Sequence, residues 1–481
     1  TQATSNPLPA NPIGPNVRNA LAGAITPGVF DPRTFTQTTV SPDFGPQTVH
    51  SWSFGLQREI TKSSAFEARY VGNHGANLFQ TVDGNPYVGT AAAPGLAQSF
   101  PNLVPAGVTG CTTPTTVLGP GQTTHPEIGR ANCNQGLIGQ RNNGAFSNYQ
   151  GLQLEFRANN LFKQLTMRTG YTWSKTLDNA SEIFSTFAGG NTLTIAQNPF
   201  NTKNGEYSIS GLNTPHAWTV TFVEQIPFFK EQHGFVGHVL GGWGISGTYI
   251  LASGQPYTPV QIGEALATTP FGNVYDSAFV ASFGGGADSA RPFIGSANAP
   301  ITSVGIFASD VCRAFFGITP ANNAALPGIC NTAITPANAL LSLNSLNINP
   351  ANPQGGFLTG PGTKPGQAPV IVTQNDVRFI INGGAAQQMF GTPFGNAPRN
   401  GFTDAIQNTA NLSVIKNFRL SERMNFELRA TAVNVLNHFN FGGIDPVLED
   451  AGRTGNGTGF GDPSLTNAAG RTMFFGGRFT F

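Results

Sequence analysis

The residues that could carry chemistry are few and scattered. Four cysteines stand as Cys111, Cys133, Cys312 and Cys330. None has the CxxC spacing of a zinc site, and four thiols allow three disulfide pairings. Seven histidines are spread along the chain without an HExxH pattern, and neither GxSxG nor a P-loop occurs. The glycine-rich GNGTGFG at 455–461 follows no strand leading into a helix, so it reads as a surface turn. Asp445, Glu449 and Asp450 could ligate calcium but read better as a solvated acidic loop. No cofactor, metal site or catalytic group is expected. What remains is electrostatic: Glu59, Glu67, Arg69, Glu155, Arg157, Arg168, Glu427, Arg429 and Arg478 each sit inside a stretch of alternating apolar and polar residues.

Composition narrows what can position those charges. Among 481 residues there are 60 glycines and 35 prolines, about a fifth of the chain, which disfavours a mostly helical protein. Charged residues make up 10%, against roughly 25% in ordinary soluble domains. The 38 phenylalanines argue against disorder, and a net charge of +1 gives no basis for nucleic-acid binding. No unbroken apolar run exceeds four residues, so a membrane-spanning helix is excluded. The chain starts at Thr1 without a signal peptide, which suggests a processed chain or a piece of a longer one.

The positioning elements are strands. Trp52, Phe54, Leu56 and Ile60 alternate with Ser51, Ser53, Gln57 and Glu59; after a turn at Thr61 to Ser64, Phe66, Ala68 and Tyr70 alternate with Glu67 and Arg69. The same period of two recurs around Leu152–Phe156, Leu165–Trp173, Trp218–Phe222, Trp243–Leu251, Leu412–Phe418, Phe426–Ala432 and Met473–Phe481. That makes nine strands, several long enough to cross a bilayer at about 9–11 residues. Alternation alone also fits a soluble β-sandwich. Charges in mid-strand fit a wide, wet interior better. Short turns follow every odd strand, and long connections follow every even one, at about 80–147, 176–215, 256–408 and 435–470. Short turns on one side and long loops on the other mark a transmembrane barrel. Arg58, Glu224 and Lys416 break the apolar face only near short turns, where a bilayer tolerates charge. Trp52, Tyr70, Tyr171, Trp173, Trp218, Trp243 and Tyr249 fall on the apolar face as candidates for an aromatic girdle, or as ordinary core aromatics.

The stretches SWSFGLQREI, ARYVGNHGANL, NYQGLQLEFR, GYTWSKTLDNA, GGWGISGTYILASGQPYTP, FGNAPRN, NLSVIKNF and FELRATAVNVLNHFNF, in that order, resemble the β-barrel of TonB-dependent receptors, and within them the Oar-like subgroup. The resemblance runs from about Gln47 to Phe481. It implies an all-β, antiparallel transmembrane β-barrel segment, about nine strands of a plugged barrel of about 22, with long extracellular loops. Residues 1–47 would be an extracellular loop remnant and 48–481 the C-terminal portion of the barrel. No plug domain, TonB-contacting box or N-terminal regulatory domain is found, so they would belong to a missing N-terminal part.

The resemblance further implies residence in the outer membrane of a Gram-negative bacterium. It implies contacts with outer-membrane lipid, a plug domain, TonB, the barrel assembly machinery and an unknown extracellular ligand. Gly476, Phe479 and Phe481 are similar to the C-terminal assembly signal of such barrels, although Phe474 replaces the usual polar residue. In so oxidising a compartment all four cysteines are expected in disulfides, and local pairing would close loops of about 20 residues, worth roughly 3 kcal/mol. The implied function is ligand uptake, or export as for some Oar-like proteins, without enzymatic activity. A porin-like barrel and a surface adhesin are the alternatives.

Overall fold

The structure, a computed structural model, describes residues 37–91, 95–112, 128–133, 138–161, 164–181, 196–260, 291–310, 338–346, 370–421, 423–452, 459–468 and 470–481. Its main body is a sheet of nine long strands. These are β1 (Thr48–Thr61), β2 (Ser64–Asp83), β3 (Ile138–Leu161), β4 (Leu165–Asp178), β5 (His216–Gln225), β6 (Trp243–Ala252), β7 (Gln407–Arg419), β8 (Asn425–Val433) and β9 (Thr472–Thr480). They lie side by side in chain order, and each neighbouring pair is antiparallel. All nine strands expected from the alternation are present. Two short segments flank this path: Gln37–Val40 pairs parallel with the start of β3, and Ser208–Ile209 pairs with the end of β4. The sheet is open, with β1 and β9 as its edges. Both edge strands are exposed along their whole length.

Two strands run further than the alternation suggests. The connection expected from residue 80 to 147 starts later and ends earlier, because β2 continues to Asp83 and β3 begins at Ile138. The reason is an irregularity in the ladder. Register shifts fall between Gly75 and Leu78 and again before Gln80, and Asn77 adopts a positive φ of 55°. Past such a bulge the period of two changes phase. Gln80 and Thr81 are buried there, so polarity no longer marks the outer face.

The long connections are not simple surface loops. The β6–β7 insertion carries a five-stranded mixed sheet built from Phe293–Ile294, Phe379–Ile380, Val304–Phe307, Leu340–Ser342 and Ile371–Val372, in that spatial order. At its neck Pro256–Tyr257 pairs with Phe402–Thr403. Val304, Ile306, Leu341, Phe379 and Ile381 form a core, joined by Leu448 and Phe460 from the β8–β9 connection. In the latter connection, Asn440–Ile444 pairs with Pro463–Ala468. A smaller cluster packs Tyr87 and Leu96 of the β2–β3 connection against Phe200 and Phe394 of two others. Together the connections form a cap with a buried interior. Among the described residues no helix is long and apolar enough to cross a membrane.

Candidate functional site: a two-faced wall and a buried ion cluster

Strand register assigns every wall residue to a face. Directly opposed residues share a face, and successive residues alternate. One rung reads Leu56, Ala68, Leu154, Tyr171, Trp218, Leu251 across β1 to β6. Another reads Ile245, Val414, Ala430, Phe475 across β6 to β9. The seven aromatics proposed for a girdle all fall on this apolar face. The opposite face carries Gln57, Glu67, Glu155 and Gly170 on one rung, and Glu427 opposite Arg478 on another. All nine mid-strand charges lie on that face.

Among the described residues most of the apolar face is left open. Phe54 and Leu56 are each 66% exposed, Trp173 is 59% and Phe475 is 78% exposed. The buried apolar residues lie mostly in the cap. Apolar groups left open on a sheet while the loops hold the core invert the arrangement of a water-soluble sandwich. Aromatic packing on this face is close. Trp52 lies over Gly72, directly opposite on β2, where a Cβ would overlap the indole. Trp218 packs edge-on against Tyr249 with centroids 5.4 Å apart, and its indole N–H donates to Thr169 Oγ1 at 2.8 Å.

On the polar face the charges interlock. Glu67 pairs with Arg69 and lies 3.8 Å from Arg157; Arg157 pairs with Glu155, which also accepts from Arg168 Nε at 2.5 Å. Arg429 Nη2 donates to Glu427 at 3.0 Å. The arginines are half exposed or more, so each pair contributes little to stability. Their effect is a hydrated, charged surface. Ser413 and Thr431 extend it, with hydroxyls 2.6 Å apart across β7 and β8.

Where the wall meets the cap the charges are buried. Arg399, 1% exposed, pairs with Asp178 at the end of β4. Its Nη1 donates to Ser181 Oγ at 2.8 Å and its Nε to the Glu206 carbonyl at 3.1 Å. Glu206 in turn accepts both Nη1 and Nη2 of Arg291 at 3.1 Å each. Burial holds the Arg291 guanidinium below its usual range, and the Glu206 carboxylate works against that. Asn400 completes the cluster: its N–H donates to Thr258 Oγ1 at 2.8 Å, and its Nδ2 donates to the Ile209 carbonyl at 3.0 Å. Two arginines against two carboxylates leave no net charge, as a buried cluster requires. Asp178 and Arg399 belong to the stretches TLDNA and FGNAPRN, so the structure joins two motifs far apart in sequence. Their pairing was not legible there, since one partner ends a strand, the other lies in a distant connection, and no period links the two.

The remaining candidates are placed as follows. Cys111 and Cys133 form a disulfide in the β2–β3 connection, with Cα atoms 5.5 Å apart. Cys312 and Cys330 lie outside the described residues. Asp445 is buried, and its Oδ1 accepts the Val447 N–H at 3.0 Å. Among the described residues no three His, Cys, Asp or Glu side chains group to hold a metal. Gly476 and Phe479 lie on the exposed edge strand β9, and Phe481, one residue past it, is 92% exposed.

A sequence profile of the outer membrane beta barrel domain matches residues 1–473. The chain belongs to that family. Its place is accordingly the outer membrane of a Gram-negative cell. No curated protein matches it. Solved structures similar to it include the outer membrane transporter YddB of Escherichia coli, at 10% identity and a TM-score of 0.34, covering 93% of this chain and 34% of that one. Another is the ferripyoverdine receptor of Pseudomonas aeruginosa, at 8% identity and a TM-score of 0.34, covering 91% and 28%. A third is the FrpB iron transporter of Neisseria meningitidis, at 7% identity and a TM-score of 0.30, covering 92% and 32%. The chain spans about a third of the length of these proteins.

Proposed function

We propose that the chain is part of the wall and the extracellular cap of a TonB-dependent receptor of the Oar-like kind, moving a ligand across the outer membrane. The observation that carries this is the wall's division into one apolar and one charged face under a folded cap. The apolar face meets lipid, with Trp52, Tyr70, Tyr171, Trp173, Trp218, Trp243 and Tyr249 as its aromatic girdle. The charged face lines a wet lumen. The cap, held to the rim by the Arg399 cluster, meets the ligand outside. The motifs that resemble the receptor family lie on this wall and at this rim in the family's order.

Two edges of unpaired N–H and C=O groups cannot face lipid, at several kcal/mol per group. Further strands therefore pair with β1 and β9, and a plug fills the lumen between them. Gly476, Phe479 and Phe481 present β9 to the assembly machinery by strand addition. The chain has no proposed catalytic role.

Two measurements test the reading in cells carrying the full protein. Thiol labelling of intact cells should modify Leu212→Cys in the cap and spare Lys62→Cys in the β1–β2 turn. Uptake or export by the protein should cease when TonB is removed. Steady ion conductance in a planar bilayer, independent of TonB, would instead favour a porin-like barrel. Surface adhesion without transport would favour an adhesin.

A further inference from the structure

The β5–β6 connection is longer than a hairpin turn needs, and it does not project away from the wall. Residues 226–242 fold back over the apolar face and include a short helix, Gly234–Leu240. Gln232, buried, fixes the fold: its Nε2 donates to the Asn417 carbonyl at 2.9 Å, and its Oε1 accepts the Arg419 N–H at 3.0 Å. Gln232 and Phe229 both adopt positive φ, at 53° and 50°, so the path is built rather than slack. Lys416, on the apolar face of β7, donates through Nζ to the carbonyls of His238, Val239 and Gly241 at the helix C-terminus. A cation there satisfies carbonyls that the helix leaves open. The same ammonium lies 5.1 Å from the Trp243 ring and 4.9 Å from that of Phe418. Trp243 N–H donates to the Val239 carbonyl at 3.0 Å.

This turn presents its apolar side chains outward. Phe235 is 84% exposed, Phe228 66%, Val236 56%, Phe229 52%, Leu240 50% and Val239 47%. Val239 borders an open apolar groove on the wall face with Val414, Phe418, Leu428 and Phe475. The patch is thus continuous with the wall's apolar surface and sits at its short-turn end. Glu231 and Arg419, 3.5 Å apart, mark the polar boundary beside it.

We infer that the turn 226–242 is an interfacial anchor, seated at the headgroup–acyl boundary of the phospholipid leaflet on the short-turn side. Phe228, Phe235 and Val239 enter the leaflet while Glu231 and Arg419 stay in water. A helix too short to span lies in the interface when one side is apolar and the other polar. Lys416 makes this possible, because its charge is spent on the helix carbonyls instead of being left to lipid. The inference rests on the apolar wall face being the lipid face.

The test uses spin labels on the full-length protein in phosphatidylethanolamine–phosphatidylglycerol vesicles, with Cys312→Ser and Cys330→Ser in the background. Labels go singly at Phe235→Cys, Val236→Cys, Val220→Cys on the wall, and Glu231→Cys. Collisions with oxygen and with a water-soluble nickel chelate report depth. The expected oxygen-to-chelate ratio is highest at Val220, several-fold above Glu231 at Phe235 and Val236, and lowest at Glu231. Values at Phe235 and Val236 equal to Glu231, with Val220 still in lipid, would overturn the anchor and leave the wall reading intact. Exclusion of both probes at Phe235 and Val236 would mean a covering protein and overturn it too. An aqueous Val220 would overturn the wall reading, and the anchor with it.

Discussion

Arg399 and Asp178 are 221 residues apart in sequence and form a buried ion pair where the cap meets the wall. Arg399 also donates to the Asp178 carbonyl at 2.5 Å, so one side chain holds both the main chain and the carboxylate at the end of β4. Removing Arg399 leaves a buried carboxylate uncompensated, a loss of about 3–5 kcal/mol. Arg399→Ala should therefore loosen the cap while the wall still inserts. Limited proteolysis of intact cells should cut the cap much faster in this variant, with unchanged amounts of protein in the membrane. Arg399→Lys should behave almost as badly, because one ammonium cannot reach Asp178, Ser181 and the Glu206 carbonyl together.

The two faces of the wall predict opposite tolerance at adjacent positions. Leu154→Arg places a charge on the apolar face in mid-strand, at a cost of roughly 2–4 kcal/mol in lipid. Gln153→Arg, on the charged face opposite Arg69, should be mild. Folded protein recovered from the outer membrane measures both. Equal damage at the two sites would mean that both faces are buried.

The Cys111–Cys133 disulfide spans 22 residues and closes beside the Tyr87 cluster. Replacing both cysteines by serine should lower local stability by about 3 kcal/mol. Hydrogen exchange should rise at Val88 and Gly89, whose N–H groups donate to the Gly129 carbonyl, and stay unchanged in β5 and β6.

Two acids at the neck of the β6–β7 insertion titrate abnormally. Burial, and then the nearby Asp404 charge, push the Tyr257 phenol up to about 12. Burial also raises Asp404, against the Ala405 N–H that it accepts. A raised acid stabilises the folded neck below its unfolded pKa, and that contribution is lost as pH rises through the folded value. For Asp404 this loss begins as pH rises past the ordinary carboxylate value near 3.8; for Tyr257 it falls between 10 and about 12. Asp404→Asn should thus strengthen the neck at neutral pH and lower the Tyr257 pKa. Ultraviolet titration of the variant against the parent, with Tyr257→Phe to assign the phenol, reads both effects.

The wall was legible in the sequence because a face that meets one medium and a face that meets another impose a strict period of two. Trp52 to Leu56 and Phe426 to Ala432 show it without interruption. The cap was not. The five strands of its main sheet are two to four residues long, too short for any period, and its core is assembled from Val304, Leu341, Phe379, Leu448 and Phe460, which sit in separate segments. Gln80 shows the same limit at the rim, where a polar residue is buried and accepts from Asn179 Nδ2 at 3.4 Å. The folded-back turn was legible only as an exception: Lys416 stood out as a charge on the apolar face, but its partners are main-chain carbonyls that no side-chain pattern reveals.

The neck of the insertion has a bearing on the wall's phase. Gln407 pairs with Ala252, and five steps further along each strand Phe402 pairs with Tyr257. No residue is gained or lost between these pairs, and the Asp404 N–H donates to the Gln255 carbonyl at 2.9 Å in between. A slip of one residue between β6 and β7 would turn Val414 and Leu412 toward the charged face and Ser413 toward the apolar one. The neck forbids that slip, because Tyr257 and Phe402 are fixed in a packed interior. Deleting a single residue between Thr403 and Gln407 would set the two registers one step apart. The chain could then satisfy the cap or the wall, but not both. The insertion is a gauge block for the strands that carry it.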